Sequence, residues 1–310
     1  MAKYLKLFNT HTNYTSYINN VVPIPNVSYC EDNNEVHYNP FDYSRQYLRT
    51  TALESGTISF NIHSYTDTNY ITSISYSTDN GETWVTTPNE DGREELLSIT
   101  VNVSQGDAIL WKGIANQLGD YDEWVGSFFS STARFNVDGN IMSLCYGDNF
   151  IGQTTLIYDC QFLYLFSDYN EELPTLLVSA ENLYLPATTL TEYCYDEMFQ
   201  CCYTLVTAPK LPATTLAPWC YDYMFEGCTS LTTAPVLPAT TLADNCYNQM
   251  FNSCSSLNSI TCLATNISAS GCTFSWVNGV ASSGTFTKAA STSWTTGVNG
   301  IPSGWTVQDA

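Results

Sequence analysis

Residues 185–210 read LPATTLTEYCYDEMFQCCYTLVTAPK, and two closely related copies follow at a spacing of 26 residues. The second copy, from Leu211, is LPATTLAPWCYDYMFEGCTSLTTAPV, and the third, from Leu237, is LPATTLADNCYNQMFNSCSSLNSITC. A weaker copy begins at Leu263, and Thr154-Thr155-Leu156 marks another before the first. A period of about 20 to 50 residues is typical of repeats that stack and bury a core between neighbours. We therefore expect the C-terminal half of the chain to be a stacked array.

The apolar residues within each copy predict a helix. In the second copy they stand at i, i+4, i+8, i+9 and i+12, a spacing that places them on one face of a helix of about three turns. These residues are Leu216, Cys220, Met224, Phe225 and Cys228. The remainder, Leu231–Leu237, has β-branched residues and an alternation that predicts a short strand interrupted by proline. One strand and one helix in 26 residues fit the leucine-rich-repeat period.

The LPATTL, CY, MF, GCTSL and TAP elements resemble the leucine-rich repeats of the BspA-like surface proteins of gut and oral Bacteroidales, related bacteria and their phages. The resemblance covers roughly residues 138–310 and includes the tail, with Ala281–Phe286 and Gly300–Thr306. It implies a leucine-rich-repeat domain with terminal caps and with full repeats from 185, 211 and 237. It also implies a binding or adhesion role, and it carries over no catalytic residue.

Residues 51–137 form a different region, which we expect to be a β-sandwich. Its alternating apolar runs predict antiparallel strands at Gly56–Ile62, Ile71–Tyr76 and Leu97–Val103. Turn residues separate the runs, and these are Asp79-Asn80-Gly81, Asp91-Gly92 and Gln105-Gly106-Asp107.

Taken together, these patterns predict the fold class α+β, multidomain: an antiparallel β-sandwich at 51–137 followed by a short leucine-rich-repeat solenoid at 138–310. Residues 1–50 are rich in Asn and Tyr and contain three prolines, Pro23, Pro25 and Pro40. We expect them to form an N-terminal arm or small docking segment through which other virion proteins hold the chain.

The charge balance excludes several partners. The chain has 9 basic and 30 acidic residues, a net charge of -21, and only Lys210 and Lys288 are basic after Arg134. Nucleic acids and anionic membranes attract clustered Lys and Arg, so neither is an expected partner. No apolar run approaches the roughly 20 residues that span a bilayer, and no signal peptide is recognised at the N-terminus. We expect synthesis in the host cytoplasm and release by lysis.

The twelve cysteines predict buried free thiols. Cys220 and Cys228 are eight residues apart on the predicted helix, about 12 Å, which exceeds the reach of a disulfide. No CxxC pair exists, and the three histidines all precede the repeats. We therefore expect no metal and no cofactor, with bridges between repeats as the alternative.

The sequence gives little support for an enzyme. The stretch Ser77–Trp84 matches the Asp-box of sialidases, where the motif is structural: the Asp and Ser brace a turn and the Trp packs beneath it. One box and four arginines are too few for a sialidase. The pairs Glu94-Glu95 and Glu171-Glu172 are expected on the solvated surface. Nucleophile elbows, P-loops and HExxH are absent from the sequence.

Aromatic residues beside the repeat cysteines are the candidate ligand-binding residues. Exposed rings in a row stack on sugars or anchor a protein partner. Tyr193 and Trp219 precede the cysteine, and the others lie after it. The full set is Tyr193, Trp219, Tyr195, Tyr221, Tyr223 and Tyr247. The alternative is that these rings cover the edge of a neighbouring repeat.

The combined expectation is a non-enzymatic virion surface protein of a gut bacteriophage, either a head or tail fibre or a decoration protein. It would bind a host cell-surface glycan, mucus or a protein through its repeat surface, and a homotrimer is one assembly that the sequence allows. Many weak contacts per particle would strengthen such adhesion. Two alternatives stay open: a purely structural virion component, and an extracellular adhesin of the bacterium itself.

Overall fold

A computed structural model describes residues 4–9, 12–17, 28–32, 35–39, 42–63, 71–88, 96–120, 125–168, 173–290 and 292–310. The first strands are β1 (Tyr4–Asn9), β2 (Thr12–Tyr17), β3 (Ser28–Asp32) and β4 (Glu35–Asn39). The next are β5 (Leu48–Ala52), β6 (Gly56–Ile62), β7 (Ile71–Ser77), β8 (Val85–Pro88), β9 (Leu97–Val103) and β10 (Ala108–Ala115). They are followed by β11 (Gly119–Asp120), β12 (Val125–Gly126), β13 (Phe128–Ser131), β14 (Phe135–Asn140) and β15 (Leu177–Tyr184). The last are β16 (Ser259–Cys262), β17 (Thr285–Lys288) and β18 (Thr306–Asp309).

Helical structure is scarce. The described part of the chain has a single α-helix, α1 (Ser143–Tyr146), and two short 3-10 turns at Tyr43–Arg45 and Gly147–Asn149. The strands form a four-stranded sheet in the order β2-β1-β4-β3, a six-stranded sheet in the order β15-β14-β5-β10-β7-β8 and a three-stranded sheet in the order β13-β6-β9. Two further sheets are the two-stranded β11-β12 and the three-stranded parallel set β16-β17-β18.

The six-stranded and three-stranded sheets share an aromatic core. Trp111 of β10 contacts Phe60 of β6 and Phe129 of β13, with ring centroids 6.1 and 5.3 Å away, and all three side chains are buried. Alternation produces this arrangement, because every second residue of a strand faces the same side. The antiparallel strands predicted at 56–62, 71–76 and 97–103 are confirmed within one residue. The turns at Asn80-Gly81 and Gly106 are confirmed as well, whereas Asp91-Gly92 lies outside the described residues.

The helix predicted in each repeat is wrong. Residues 173–290 contain no α-helix, and the segment from Glu192 to Cys201 consists of consecutive turns. A residue with positive φ recurs at every fourth position, which interrupts any helical run; in the second copy these are Trp219, Tyr223 and Gly227, with φ of 58°, 47° and 74°. The first and third copies place such residues at the matching positions, Tyr193, Glu197 and Cys201, then Asn245, Gln249 and Ser253.

Backbone hydrogen bonds alternate between two directions along these turns. In the first copy, the N–H of Asp196 donates to the carbonyl of Tyr193 within the repeat, 3.2 Å away. The neighbouring N–H of Tyr195 donates to Cys220 of the next copy, 3.1 Å away. The same bonds recur in the second copy, where Tyr221 donates to Cys246 at 3.2 Å. Each repeat is therefore attached to the next by its own backbone, in register.

These observations correct the predicted fold class. The described chain is mostly β, and the α+β leucine-rich-repeat solenoid, with one helix and one strand in each repeat, is not what the sequence adopts. The strand predicted at Leu231–Leu237 reduces to two isolated parallel bridges, Thr233 to Ser259 and Leu237 to Cys262. Proline at 235 explains part of this difference, because it has no N–H to donate to a ladder.

The described regions from Tyr47 onward share a continuous core. β5 crosses the expected boundary between residues 50 and 51, and β14 pairs in parallel with β15 across the boundary at 137/138. One cluster of buried side chains extends from Tyr47 to Trp305. The β-sheet region and the stacked repeats are therefore packed together.

Candidate functional site

A groove lies between the 3-10 turn at Tyr43–Arg45 and strand β15. Its main cavity, of 320 Å³, is lined by Asp42, Tyr43, Ser44, Glu181, Asn182, Leu183, Tyr184, Leu185, Lys210 and Pro212. A second cavity of 260 Å³ is lined by Asp42, Ser44, Arg45, Asn140, Ile151, Gly152, Gln153, Thr154 and Tyr184. Asp42, Ser44 and Tyr184 belong to both linings, so the two cavities adjoin.

Hydrogen bonds from the six-stranded sheet hold the turn in place. The side-chain Nδ2 of Asn140, at the end of β14, donates to the carbonyl of Ser44 at 2.8 Å. The hydroxyl of Ser44 donates to the carboxylate of Asp42. The carbonyl of Gln46 accepts from the N–H of Asn140 at 2.8 Å. These hydrogen bonds attach the turn, which forms one wall of the groove, to the six-stranded sheet.

An ion pair lies close to Tyr43. Arg49 of β5 donates from Nε and from its terminal nitrogen to the two carboxylate oxygens of Asp138, both at 2.8 Å. Burial raises the pKa of Tyr43, and the negative charge of Asp138 raises it further. Tyr43 is therefore a neutral phenol at physiological pH, able both to donate and to accept a hydrogen bond.

Tyr184 is the exposed aromatic ring of the groove. It is the last residue of β15, lines both cavities and is 38% exposed. Its neighbours Asn182 and Glu181, together with Asp42, supply amide and carboxylate groups. This composition, an amphipathic ring beside a few polar groups, is typical of small-ligand sites.

Three of the six predicted aromatic residues lie in the core. Tyr195, Tyr221 and Tyr247 are 0, 1 and 1% exposed, so the predicted exposure of these rings is wrong. They stack on one another through successive repeats, with centroids 5.8 Å apart for the first pair and 6.1 Å for the second. These three tyrosines therefore follow the alternative interpretation, in which each ring packs against a neighbouring repeat.

The other three predicted residues are half-buried. The rings of Tyr193 and Trp219 stack with centroids 5.9 Å apart and planes 11° apart. Tyr223 is hydrogen-bonded to the side-chain amide of Gln249 in the next repeat. These residues have the exposure for a ligand contact, but none lines the groove. Their predicted ligand-binding role stays a prediction.

A second aromatic column runs beside the tyrosines. Phe166, Phe199, Phe225 and Phe251 stack with successive centroid separations of 5.4, 5.3 and 5.7 Å. All four rings are fully buried. The aromatic residues of the repeats thus serve mainly to pack one copy on the next.

The cysteines fill the same core. Eleven cysteines are described as free thiols, and ten of them are buried, with Cys201 half-buried. Burial raises the pKa of the Cys145 and Cys262 thiols to about 12. The predicted burial is confirmed for these ten cysteines, and Cys201 is the exception. Within the described residues, no group of three or more His, Cys, Asp or Glu side chains is arranged to hold a metal ion.

The Asp-box stretch forms the braced turn that its sequence predicts. The Ser77 hydroxyl donates to Asp79 Oδ1 at 2.7 Å and accepts from the N–H of Gly81 at 2.9 Å. The hydroxyl and N–H of Thr83 lower the pKa of Asp79 to about 2. Trp84 packs with its ring centroid 4.9 Å from that of Tyr47. The structural interpretation of this motif is confirmed.

Sequence reasoning missed the groove because its two walls are distant in the chain. Asp42 and Tyr184 are about 140 residues apart, and strand pairing between β5, β14 and β15 brings them together. Asp42–Arg45 also lies in the segment assigned to an arm. The one local signal was the ring of Tyr184, immediately before the first LPATTL.

No family model matches the chain, and neither a curated protein nor a solved structure matches it. Among the described residues, no helix has the length and apolar character required to cross a membrane.

Proposed function

We propose that this protein is a non-enzymatic binding protein that holds a saccharide in the groove beside Tyr184. The observation that carries this proposal is the exposed Tyr184 ring at the junction of two adjoining cavities, whose largely apolar linings also include polar side chains such as Asp42 and Glu181. A pyranose presents an apolar face to such a ring and hydroxyl groups around its edge. The main cavity, at 320 Å³, has the size of a small-ligand pocket.

The polar residues of the lining suit hydroxyl groups. Carboxylates such as Asp42 and Glu181 only accept hydrogen bonds, whereas the Asn182 amide both donates and accepts. Sugar hydroxyls likewise donate and accept, so each of these side chains can form a hydrogen bond with a sugar hydroxyl. Attachment of the Ser44 wall to Asn140 keeps the groove formed before a ligand arrives, which lowers the entropic cost of binding.

From the resemblance of the repeats, we propose that this binding takes place on the surface of a phage particle attached to host glycan or mucus. The N-terminal region would join the protein to other virion proteins. A homotrimer stays a prediction, and light scattering of the purified chain checks it. Display in many copies would turn weak single-site affinity into firm attachment.

Binding to an array of bacterial and mucin glycans tests the proposal. Tyr184→Ala removes the ring, and Tyr158→Ala is the matched control, because Tyr158 is 39% exposed and lies outside both cavity linings. We expect Tyr184→Ala to weaken glycan binding by about 10-fold or more, as losses at aromatic anchors do, and Tyr158→Ala to bind as the parent does. Equal binding by both variants would reject the groove. Release of shorter sugars during incubation would reject the non-enzymatic role, and no binding by the parent protein would favour the structural virion component.

A further inference from the structure

Most of the described basic side chains of this acidic protein are paired. Of the nine Lys and Arg residues, six have described side chains. Four of these form ion pairs with N to O distances of 2.6 to 3.0 Å, and the pairs are Arg49 with Asp138, Lys112 with Asp148, Arg134 with Glu54 and Lys288 with Asp309. The remaining two, Arg45 and Lys210, have no carboxylate partner among the described residues, and both line the groove.

This placement is informative because carboxylates are abundant. Acidic residues outnumber basic ones by 30 to 9, and two carboxylates, Asp42 and Glu181, line the same groove. Arg45 and Lys210 nevertheless form no ion pair with a described carboxylate. Arg45 is half-buried, and its Nε is shielded from solvent without a hydrogen-bond partner among the described residues. A buried donor of this kind normally has a partner.

Other arginines of this protein show that a guanidinium Nε pairs with a carboxylate. Arg49 uses Nε and a terminal nitrogen together to hold both oxygens of Asp138 at 2.8 Å. Arg134 donates to Glu54 through the same two nitrogens, although both bonds, of 3.2 and 3.0 Å, go to one oxygen, Oε2. The planar guanidinium matches a planar carboxylate in this geometry, and a lysine supplies a point charge without it. The unpartnered Nε of Arg45 is the donor that completes an equivalent pair.

We infer that the ligand of this groove is an acidic saccharide, with a uronic acid carboxylate held by Arg45 and a second negative group placed near Lys210. The inference rests on the proposed saccharide groove and names its ligand class. Sugar hydroxyls occupy the acceptors Asp42 and Glu181. The net charge of -21 repels a densely sulfated polyanion, so a chain that mixes uronic acids with neutral sugars fits better.

Titration calorimetry with one oligosaccharide in two forms provides the test. The first form carries its uronic acids, and the second is the same chain with each carboxyl group reduced to the primary alcohol. We expect the acidic form to bind about 10-fold tighter or more, consistent with charge-assisted hydrogen bonds being roughly twice as strong as neutral ones. Arg45→Gln and Lys210→Gln should each weaken binding of the acidic form and so remove that preference.

Arg134→Gln is the control, because Arg134 is an exposed arginine outside the groove whose pair with Glu54 is on the surface. It should keep the preference for the acidic form. Equal affinity of the parent protein for both forms, or an Arg45→Gln variant that still prefers the acidic form, overturns the inference while the saccharide groove stands. If neither form binds and Tyr184→Ala has no effect on any glycan, the proposed function itself is rejected, and the inference with it. Tighter binding of a densely sulfated chain than of the uronic acid chain also overturns it.

Discussion

Asp196 and Asp222 occupy the same position in adjacent repeats, and each has a buried carboxyl oxygen, Oδ1, without a hydrogen-bond partner in the described chain. Burial raises the pKa of both carboxyl groups, and the charge of Asp222 adds to the effect on Asp196. Burial also raises the pKa of the neighbouring Glu197, to about 7. The third repeat has the neutral Asn248 at this position. Buried carboxyl groups of the stacked repeats therefore keep their protons at neutral pH.

This arrangement predicts that stability falls as pH rises. The pKa of Asp222 is about 8 in the folded protein against 3.8 for an ordinary Asp. Between those values the unfolded chain loses a proton that the folded chain keeps, so the free energy of unfolding decreases with pH. Asp222→Asn removes the titrating group, and we expect it to raise the free energy of unfolding at pH 8 by about 1 to 3 kcal/mol and to flatten its pH dependence. Urea unfolding from pH 5 to pH 8 measures both effects.

The third repeat offers the reverse substitution. Asn248→Asp places a carboxyl group where the chain has an amide, and it should make the decrease in stability above pH 5 steeper. Both variants should agree with the parent protein most closely in acid, where the carboxyl groups are protonated. A parallel shift of the whole curve, with no change in slope, would contradict the role given to these side chains.

The recurring positive φ predicts opposite effects for glycine in adjacent repeats. Gly227 and Ser253 hold equivalent positions with φ of 74° and 63°. Left-handed backbone is costly for residues other than glycine, so Ser253→Gly should stabilise by about 0.5 to 1 kcal/mol. Gly227→Ala should destabilise by about 1 kcal/mol or more, since its Cβ would also lie 3.2 Å from the Cys201 sulfur. Thermal unfolding of the two variants separates backbone strain from packing; destabilisation by both would show that the side chain of Ser253 matters more than its φ.

The phenylalanine column predicts strong coupling between repeats. Phe225 is fully buried between Phe199 and Phe251, so Phe225→Ala removes two stacking contacts and leaves a cavity. We expect a loss of about 3 to 5 kcal/mol. In a double-mutant cycle, Phe199→Leu and Phe225→Leu should show a coupling energy of about 0.5 to 1.5 kcal/mol. Additive effects of the two leucine variants would indicate that the rings are merely adjacent.

Thiol reactivity should follow burial. Cys201 is half-buried, whereas the other ten described cysteines are buried and their thiolates are disfavoured by desolvation. We expect iodoacetamide to alkylate Cys201 before any of these ten, and all of them to react after unfolding. Peptide mapping by mass spectrometry gives the order. Early labelling of Cys220 or Cys228 in the native protein would contradict the core position of these residues.

Much of the molecule follows from local sequence patterns. The strand bounds at 56–62 and 97–103, the braced turn at Asp79 and the burial of Cys220 and Cys228 were all predictable. Each depends on residues close in sequence, whose alternation or turn chemistry determines the backbone directly.

The helix prediction failed because a helix and a series of four-residue turns give nearly the same spacing of buried residues. Cys220, Met224 and Cys228 recur at every fourth residue, which approximates the helical period of 3.6 but matches a four-residue turn better. A positive φ before each of them separates the two structures, and Trp219 and Tyr223 give no sign of it in the sequence. Gly227 is the only such residue of this copy whose type suggests a left-handed backbone. The groove was beyond local patterns altogether, since its walls meet only through long-range strand pairing.

The register of the stack has a consequence for how the protein can change in length. Each middle copy presents to the following copy the same backbone groups, the same aromatic ring positions and nearly the same thiols that it accepts from the preceding one. A duplication of one whole copy, such as residues 211–236, therefore inserts a layer that already fits both neighbours. The distance between the β-sheet region and the C-terminal sheet then becomes an adjustable quantity, set in steps of about 4.8 Å, the usual separation of hydrogen-bonded strands.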